Sequence, residues 1–142
     1  FGQQAIMDKL AESLFVMAIF AYADQATDRR GLLAALSDAR LSKALAAIHS
    51  RPGEDWTVDS LASIAGMSRT AFAMSFAQTL GASPFQYLTE WRVTEAKRLL
   101  RDQRLSVAAV AEQLGYQSEA AFRRAFKRIE GVGPGQVRKP TR

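Results

Sequence analysis

Residues 57–84 read TVDSLASIAGMSRTAFAMSFAQTLGASP, and residues 106–134 read SVAAVAEQLGYQSEAAFRRAFKRIEGVGP. The two stretches are copies of one pattern, and an internal repeat constrains a fold more than any local propensity. Aligned on their central glycines, Leu61 matches Val110, Ala62 matches Ala111, Ala65 matches Leu114, Gly66 matches Gly115 and Met67 matches Tyr116. After one extra residue in the second turn, Phe72 matches Phe122, Phe76 matches Phe126, Gly81 matches Gly131 and Pro84 matches Pro134.

Each matched residue type has a mechanical reason. Two helices that cross steeply through a turn of about three to four residues need small side chains where they touch, which Ala62 and Ala111 supply. Gly66 and Gly115 end the first helix of each copy, where a left-handed backbone costs glycine little. Phe72 with Phe76, and Phe122 with Phe126, are four apart and put two rings on one face of the second helix. That face anchors the helix to a core, and the opposite face is left for a partner. The pattern reads as two helix-turn-helix units in tandem, 57–80 and 106–130, within an all-α chain.

Working outward, Ser37 or Asp38 can cap a helix to about residue 49 that carries Leu41, Leu45 and Ile48 on one stripe. Pro52-Gly53 breaks it, and Thr57, Ser68 and Ser106 stand as N-caps of later helices, with Ser118 at the head of the last, 118–130. Asp59 sits in the first turn after Thr57, where the helix dipole favours an acid. Ser83-Pro84 opens a long helix to about residue 101, Pro being at ease in a first turn. Gly131, Gly133 and Pro134 are expected to end the regular structure. No segment alternates with period two, so no sheet is expected. Upstream, Ile6, Leu10, Leu14, Met17 and Phe20 mark an apolar helix over about 4–25. Residues 24–31 read as a polar linker and 32–36 as a short helix. The division expected is therefore 1–36, an N-terminal helical segment, and 37–142, the repeat-bearing module.

Composition narrows the functional classes. The 142 residues contain no Cys, which removes disulfides, thiolate metal sites and cysteine nucleophiles and fits a cytoplasmic setting. The longest apolar run, residues 14–23 (LFVMAIFAYA), is closed by Asp24 and is far short of the ~20 residues a bilayer span needs. The single His, His49, has no Ser elbow, metal-ligand cluster or phosphate-binding glycine loop beside it, so no enzyme, cofactor or metal site is expected. Charge is uneven: residues 1–84 carry seven Lys/Arg against eight Asp/Glu, and residues 85–142 carry twelve against six, for a total of +5. A basic C-terminal half suits an anionic partner. The chain begins at Phe1, which suggests a piece of a longer protein.

With these residues in place, the sequence resembles the C-terminal domain of the AraC/XylS family of transcription regulators. The resemblance runs from about residue 38 to 138 and is carried by WTVDSLASIAGMSRTAFAMSF, SPFQYLTEWRVTEAKRLL and VAEQLGYQSEAAFRRAFKRIEGVGPGQVR. It implies seven helices, two helix-turn-helix subdomains and a linker helix over 84–101. The stretch around RPGEDWTV is most similar to the branch whose N-terminal half is a cupin-like effector domain. The resemblance therefore implies that residues 1–36 are the tail of that domain, with a homodimer through residues 5–23.

The function expected is sequence-specific binding of double-stranded DNA, with helices 69–80 and 118–130 entering two adjacent major-groove segments about 34 Å apart. By helix position the early exposed residues are Arg69, Thr70, Ala73, Met74 and Gln78 in the first unit, and Glu119, Ala120, Arg123, Arg124 and Lys127 in the second. The family's base-contacting positions fall on Thr70, Ala73, Met74, Glu119, Ala120, Arg123 and Arg124. Arg123 or Arg124 can make the two-pronged contact to guanine, while Thr70, Ala73 and Met74 offer methyl groups to thymine. Glu119 has two readings of equal weight: acceptor from a cytosine amino group, or partner of Arg123 one turn on. Phosphate contacts are expected from Ser68, Gln78, Gln117, Ser118, Lys127 and Arg128. Arg92 reads as a buried ion-pair partner, and Arg138, Lys139 and Arg142 as a solvated basic tail. RNA polymerase is a further partner the resemblance allows. The rival function is a helical protein-interaction or dimerisation module, docking a partner on 14–23 without touching DNA.

Overall fold

A computed structural model describes residues 29–102 and 104–138. The apolar helix read over 4–25, the dimer-forming stretch 5–23 and the tail residues Lys139 and Arg142 lie outside the described residues. Among the described residues there are eight helices and no strand: α1 (Arg29–Ser37), α2 (Ala39–Ser50), α3 (Val58–Ala65), α4 (Arg69–Leu80), α5 (Pro84–Leu100), α6 (Val107–Gln113), α7 (Glu119–Glu130) and α8 (Pro134–Arg138). None of them is long and apolar enough to cross a membrane. They form two compact units, one holding 29–51 and 56–86, the other holding 52–55, 87–102 and 104–138.

In the first unit α2 packs against α1 and α3, and α4 packs against α1 and α3. Asp38 is the cap that starts α2: its carboxylate accepts from the Arg40 and Leu41 amides. The Leu41 hydrogen bond holds that carboxyl below the usual carboxylate range. Leu41, Leu45 and Ile48 are fully buried, as their spacing predicts. Leu32 and Ala35 of α1 are buried too, so the residues just before 37 join this unit's core. Thr57 makes a capping box with Ser60, in which each side chain takes the other's backbone amide.

His49 lies in the last turn of α2, where the helix dipole favours a cation. Burial wins, and pushes its pKa down to about 4. The folded state therefore holds His49 neutral, while the unfolded chain protonates it near pH 6.5. Its contribution is complete above about pH 6.5 and is lost as pH falls toward 4, by up to about 1.4 kcal/mol per pH unit. His49→Gln is expected to flatten that part of the stability profile. Urea unfolding of both chains at pH 7, 6, 5 and 4 measures the difference, and parallel curves would contradict it.

In the second unit the core joins Val93, Ala96, Leu99 and Leu100 of α5 to Val110, Ala111 and Leu114 and to Phe122 and Phe126 of α7. Helix α5 is thus more than a linker, since its second half forms one wall of this core. The expectation that regular structure ends at 131–134 is overturned: Pro134 starts α8, which packs against α7. Pro in a first turn begins this helix as it begins α5. Arg138, read as part of a solvated tail, is instead tied down. Its Nε donates to the Leu100 carbonyl at 3.1 Å and a terminal nitrogen reaches that of Asp102 at 3.5 Å. The Leu100 carbonyl closes α5 with no partner within its own helix, and this guanidinium supplies one.

Candidate nucleic-acid interface

The two copies of the repeat fold as their residue types require. Ala62 and Ala111 are each 2% exposed, which lets α4 sit close on α3 and α7 close on α6. Gly66 ends α3 at φ 71°, and Gly115 follows α6 at φ 84°. In each copy the amide after the glycine then closes the turn, Met67 onto the Ala62 carbonyl at 2.9 Å and Tyr116 onto that of Ala111 at 3.0 Å. Phe72 and Phe76 are fully buried with ring centroids 5.5 Å apart, and Phe122 and Phe126 likewise at 5.8 Å. Helices α4 and α7 are therefore each fastened through the face that carries their paired rings.

On α4 the opposite face presents Arg69, Thr70 and Met74 as exposed side chains, with Ala73 half-buried between them. Met74 is 57% exposed, a large apolar surface for a helix face that meets only water. Arg69 leans toward Asp59 at 3.9 Å, a loose and fully solvated pair worth little. Gln78 is exposed two turns further on. Ser68 caps the helix by accepting from the Ala71 amide at 3.2 Å, which leaves its O–H free in direction to donate.

On α7 the face is basic. Glu119, Ala120, Arg123, Arg124, Lys127 and Arg128 are all exposed, as are Gln117 and Ser118 before them. Ser118 repeats the Ser68 arrangement, accepting from the Ala121 amide at 3.0 Å. Glu119 makes the intrahelical pair that one of its two readings requires. Its carboxylate accepts from Arg123 Nε at 2.8 Å, one turn along the helix. Arg124 makes no ion pair among the described residues. Its guanidinium, the Lys127 ammonium and the Arg128 guanidinium are the cations of this face that no acid among the described residues holds. Glu130, the other acid of α7, pairs with Lys97 at 3.0 Å.

Arg92 departs from its expected role. It is buried, but its partners are carbonyls rather than a carboxylate: Nε donates to Pro52 at 2.7 Å and Nη2 to Glu54 at 2.9 Å. The Tyr116 ring lies under the guanidinium at 5.5 Å. No sequence signal marks a contact about forty residues apart, because a backbone carbonyl carries no residue identity.

Comparison with known proteins places this geometry. A family model described as a helix-turn-helix domain matches residues 61–140. The HTH-type transcriptional regulator AlkR of Acinetobacter baylyi is 40% identical over 138 residues, covering 97% of this chain and 45% of that protein. The DNA-binding domain of AdpA, a global transcriptional factor solved in complex with a target DNA, superposes with a TM-score of 0.65 at 35% identity. It covers 71% of this chain and 90% of that one. A Chromobacterium violaceum transcriptional regulator of the AraC-type DNA-binding kind gives 0.67 at 25% identity, covering 72% and 91%. The chain spans about half the length of the curated relatives it matches. On the repeat, the paired phenylalanines, the open faces of α4 and α7 and these matches together, the chain belongs to the AraC-type helix-turn-helix family of transcription regulators.

Proposed function

We propose that this chain is the DNA-reading module of a transcription regulator, with α4 and α7 each entering one major-groove segment of a single asymmetric site. The observation that carries it is the exposed basic face of α7 on a helix fixed from behind by two fully buried rings. A rigid helix with free guanidinium forks is what base-edge reading in the major groove uses. The similarity to a domain solved on its target DNA supports the same reading.

In this reading Arg124 makes the two-pronged contact to guanine. Glu119 holds Arg123 in place, and Arg123 reaches a base only by leaving that pair. Ala120 stands beside them, and Arg69, Thr70, Ala73 and Met74 read shape and thymine methyls in the other segment. Ser68, Gln78, Gln117, Ser118, Lys127 and Arg128 hold phosphates, the two serines through hydroxyls already committed as acceptors to their helices. The module takes in 37–142, with helix-turn-helix units at 57–80 and 106–130 joined through 84–101. Helix α1, whose Leu32 and Ala35 are buried in the first unit, joins this module. The stretch before it belongs to the side of a cupin-like effector domain, and 5–23 is the candidate dimer contact. RNA polymerase is a partner consistent with the family, and the bacterial cytoplasm is the compartment where such a module works.

A gel-shift salt titration on random duplex DNA tests this against the rival, an interaction module without DNA binding. The two charged phosphate contacts, Lys127 and Arg128, should make affinity fall at least roughly tenfold between 50 and 200 mM salt. A chain that shifts no duplex at low salt supports the rival instead.

A further inference from the structure

The two turns of the repeat differ in one respect that neither copy's sequence announces. At Gly66 an added Cβ would meet nothing within 4 Å. At Gly115 it would meet the Gly53 carbonyl oxygen at 2.6 Å and Arg92 Nη2 at 2.9 Å, and at Gly53 it would meet the Gln113 carbonyl oxygen. Residues 52–55 therefore lie backbone against backbone across the end of α6, as a strap on the second turn only. By sequence the strap joins α2 to α3, but by its contacts it belongs to the second unit. Its base is pinched where Trp56 Nε1 donates to the Arg51 carbonyl at 2.8 Å and the Arg51 guanidinium stacks on the Trp56 ring at 5.0 Å.

Burying a guanidinium costs desolvation, and here hydrogen bonds from it to two strap carbonyls, together with a ring face, offset that cost. The same ring passes the contact onward. Tyr116 packs on Phe122 of α7 with centroids 5.3 Å apart. A continuous path runs from the strap through Arg92 and Tyr116 to the buried side of the recognition helix. We infer that Arg92 is a positioning residue for DNA reading by α7: it pins the 52–55 strap to the second turn and so fixes the angle at which α7 presents Arg123 and Arg124. The inference rests on the proposed DNA-reading role, and adds that the two reading helices are held by different means.

The test is selection of binding sites from a random duplex library by the intact 142-residue chain and its variants. The positions whose preference Arg123→Ala or Arg124→Ala removes define the half read by α7. Arg92→Ala is expected to weaken base preference at those positions roughly tenfold, and to leave the other half within about twofold. Tyr116→Leu, which removes the ring under the guanidinium, is expected to give the same one-sided profile. Arg92→Lys keeps the charge but cannot span two carbonyls, so an intermediate profile is expected from it. If circular dichroism finds Arg92→Ala unfolded, the lysine variant decides. A merely structural residue would weaken both halves alike. Equal weakening of the two halves, or an unchanged profile, overturns the assignment. A wild-type chain that enriches no sequence, or one in which neither arginine variant removes a preference, overturns the DNA-reading proposal and this assignment together.

Discussion

Phe122→Ala is expected to cost about 3–5 kcal/mol and to unfold the second unit at temperatures the wild type survives. Phe122 is fully buried, touches the Tyr116 and Phe126 rings at centroid distances of 5.3 and 5.8 Å, and sits among α5 and α6 core residues. Truncation removes a ring that its neighbours cannot close over, so the loss combines transfer and cavity terms. A unit of this size has only about 5–10 kcal/mol in all, so half its stability goes. Thermal unfolding followed at 222 nm is expected to move down by at least about 12 °C. Ala120→Ser, exposed on the same helix, is the control and should stay within about 0.5 kcal/mol. A Phe122→Ala chain that melts with the wild type would place the ring outside the core, and the open face of α7 would no longer follow.

Much of the fold is legible in the sequence because caps, glycines and paired rings are local signals. Asp38, Thr57, Ser68 and Ser106 each cap the helix their position predicts, while Ser118, read as the first residue of the last helix, is its cap. Helix α8 escapes because a Gly-x-Gly-Pro run reads as a stop, and docking on α7 makes the five residues from Pro134 helical. The division of the chain is also more interleaved than pattern suggests: the strap at 52–55 lies between helices of the first unit and folds with the second. The face of α7 is legible down to which side chains are exposed, since helix spacing fixes that. Which arginine is held by Glu119 is a rotamer choice, and spacing alone allowed the acid another role. Arg92 and Arg138 were misread for one reason. Both find backbone carbonyls, at Pro52 and Glu54 and at Leu100, and no alphabet of side chains records where those oxygens come to lie.

Arg124→Ala is expected to have the largest effect on recognition. Arg123 must first leave Glu119, an exposed pair worth about 0.3–0.5 kcal/mol, before it can reach a base. Arg124 carries no such tie and can offer both prongs of its fork at once. Losing a two-pronged guanine contact costs about 1–3 kcal/mol of discrimination, or roughly 5- to 150-fold at one base pair. A lost phosphate contact would instead weaken all duplexes alike and reduce the salt dependence by about one counterion.

The most direct measurement is therefore competitive binding of wild-type and Arg124→Ala chains to the duplex selected by the wild type and to that duplex with each guanine replaced in turn. The account predicts one guanine at which the wild type discriminates at least about fivefold and Arg124→Ala does not, with all other positions preserved. Discrimination that survives unchanged in Arg124→Ala at every guanine would contradict it.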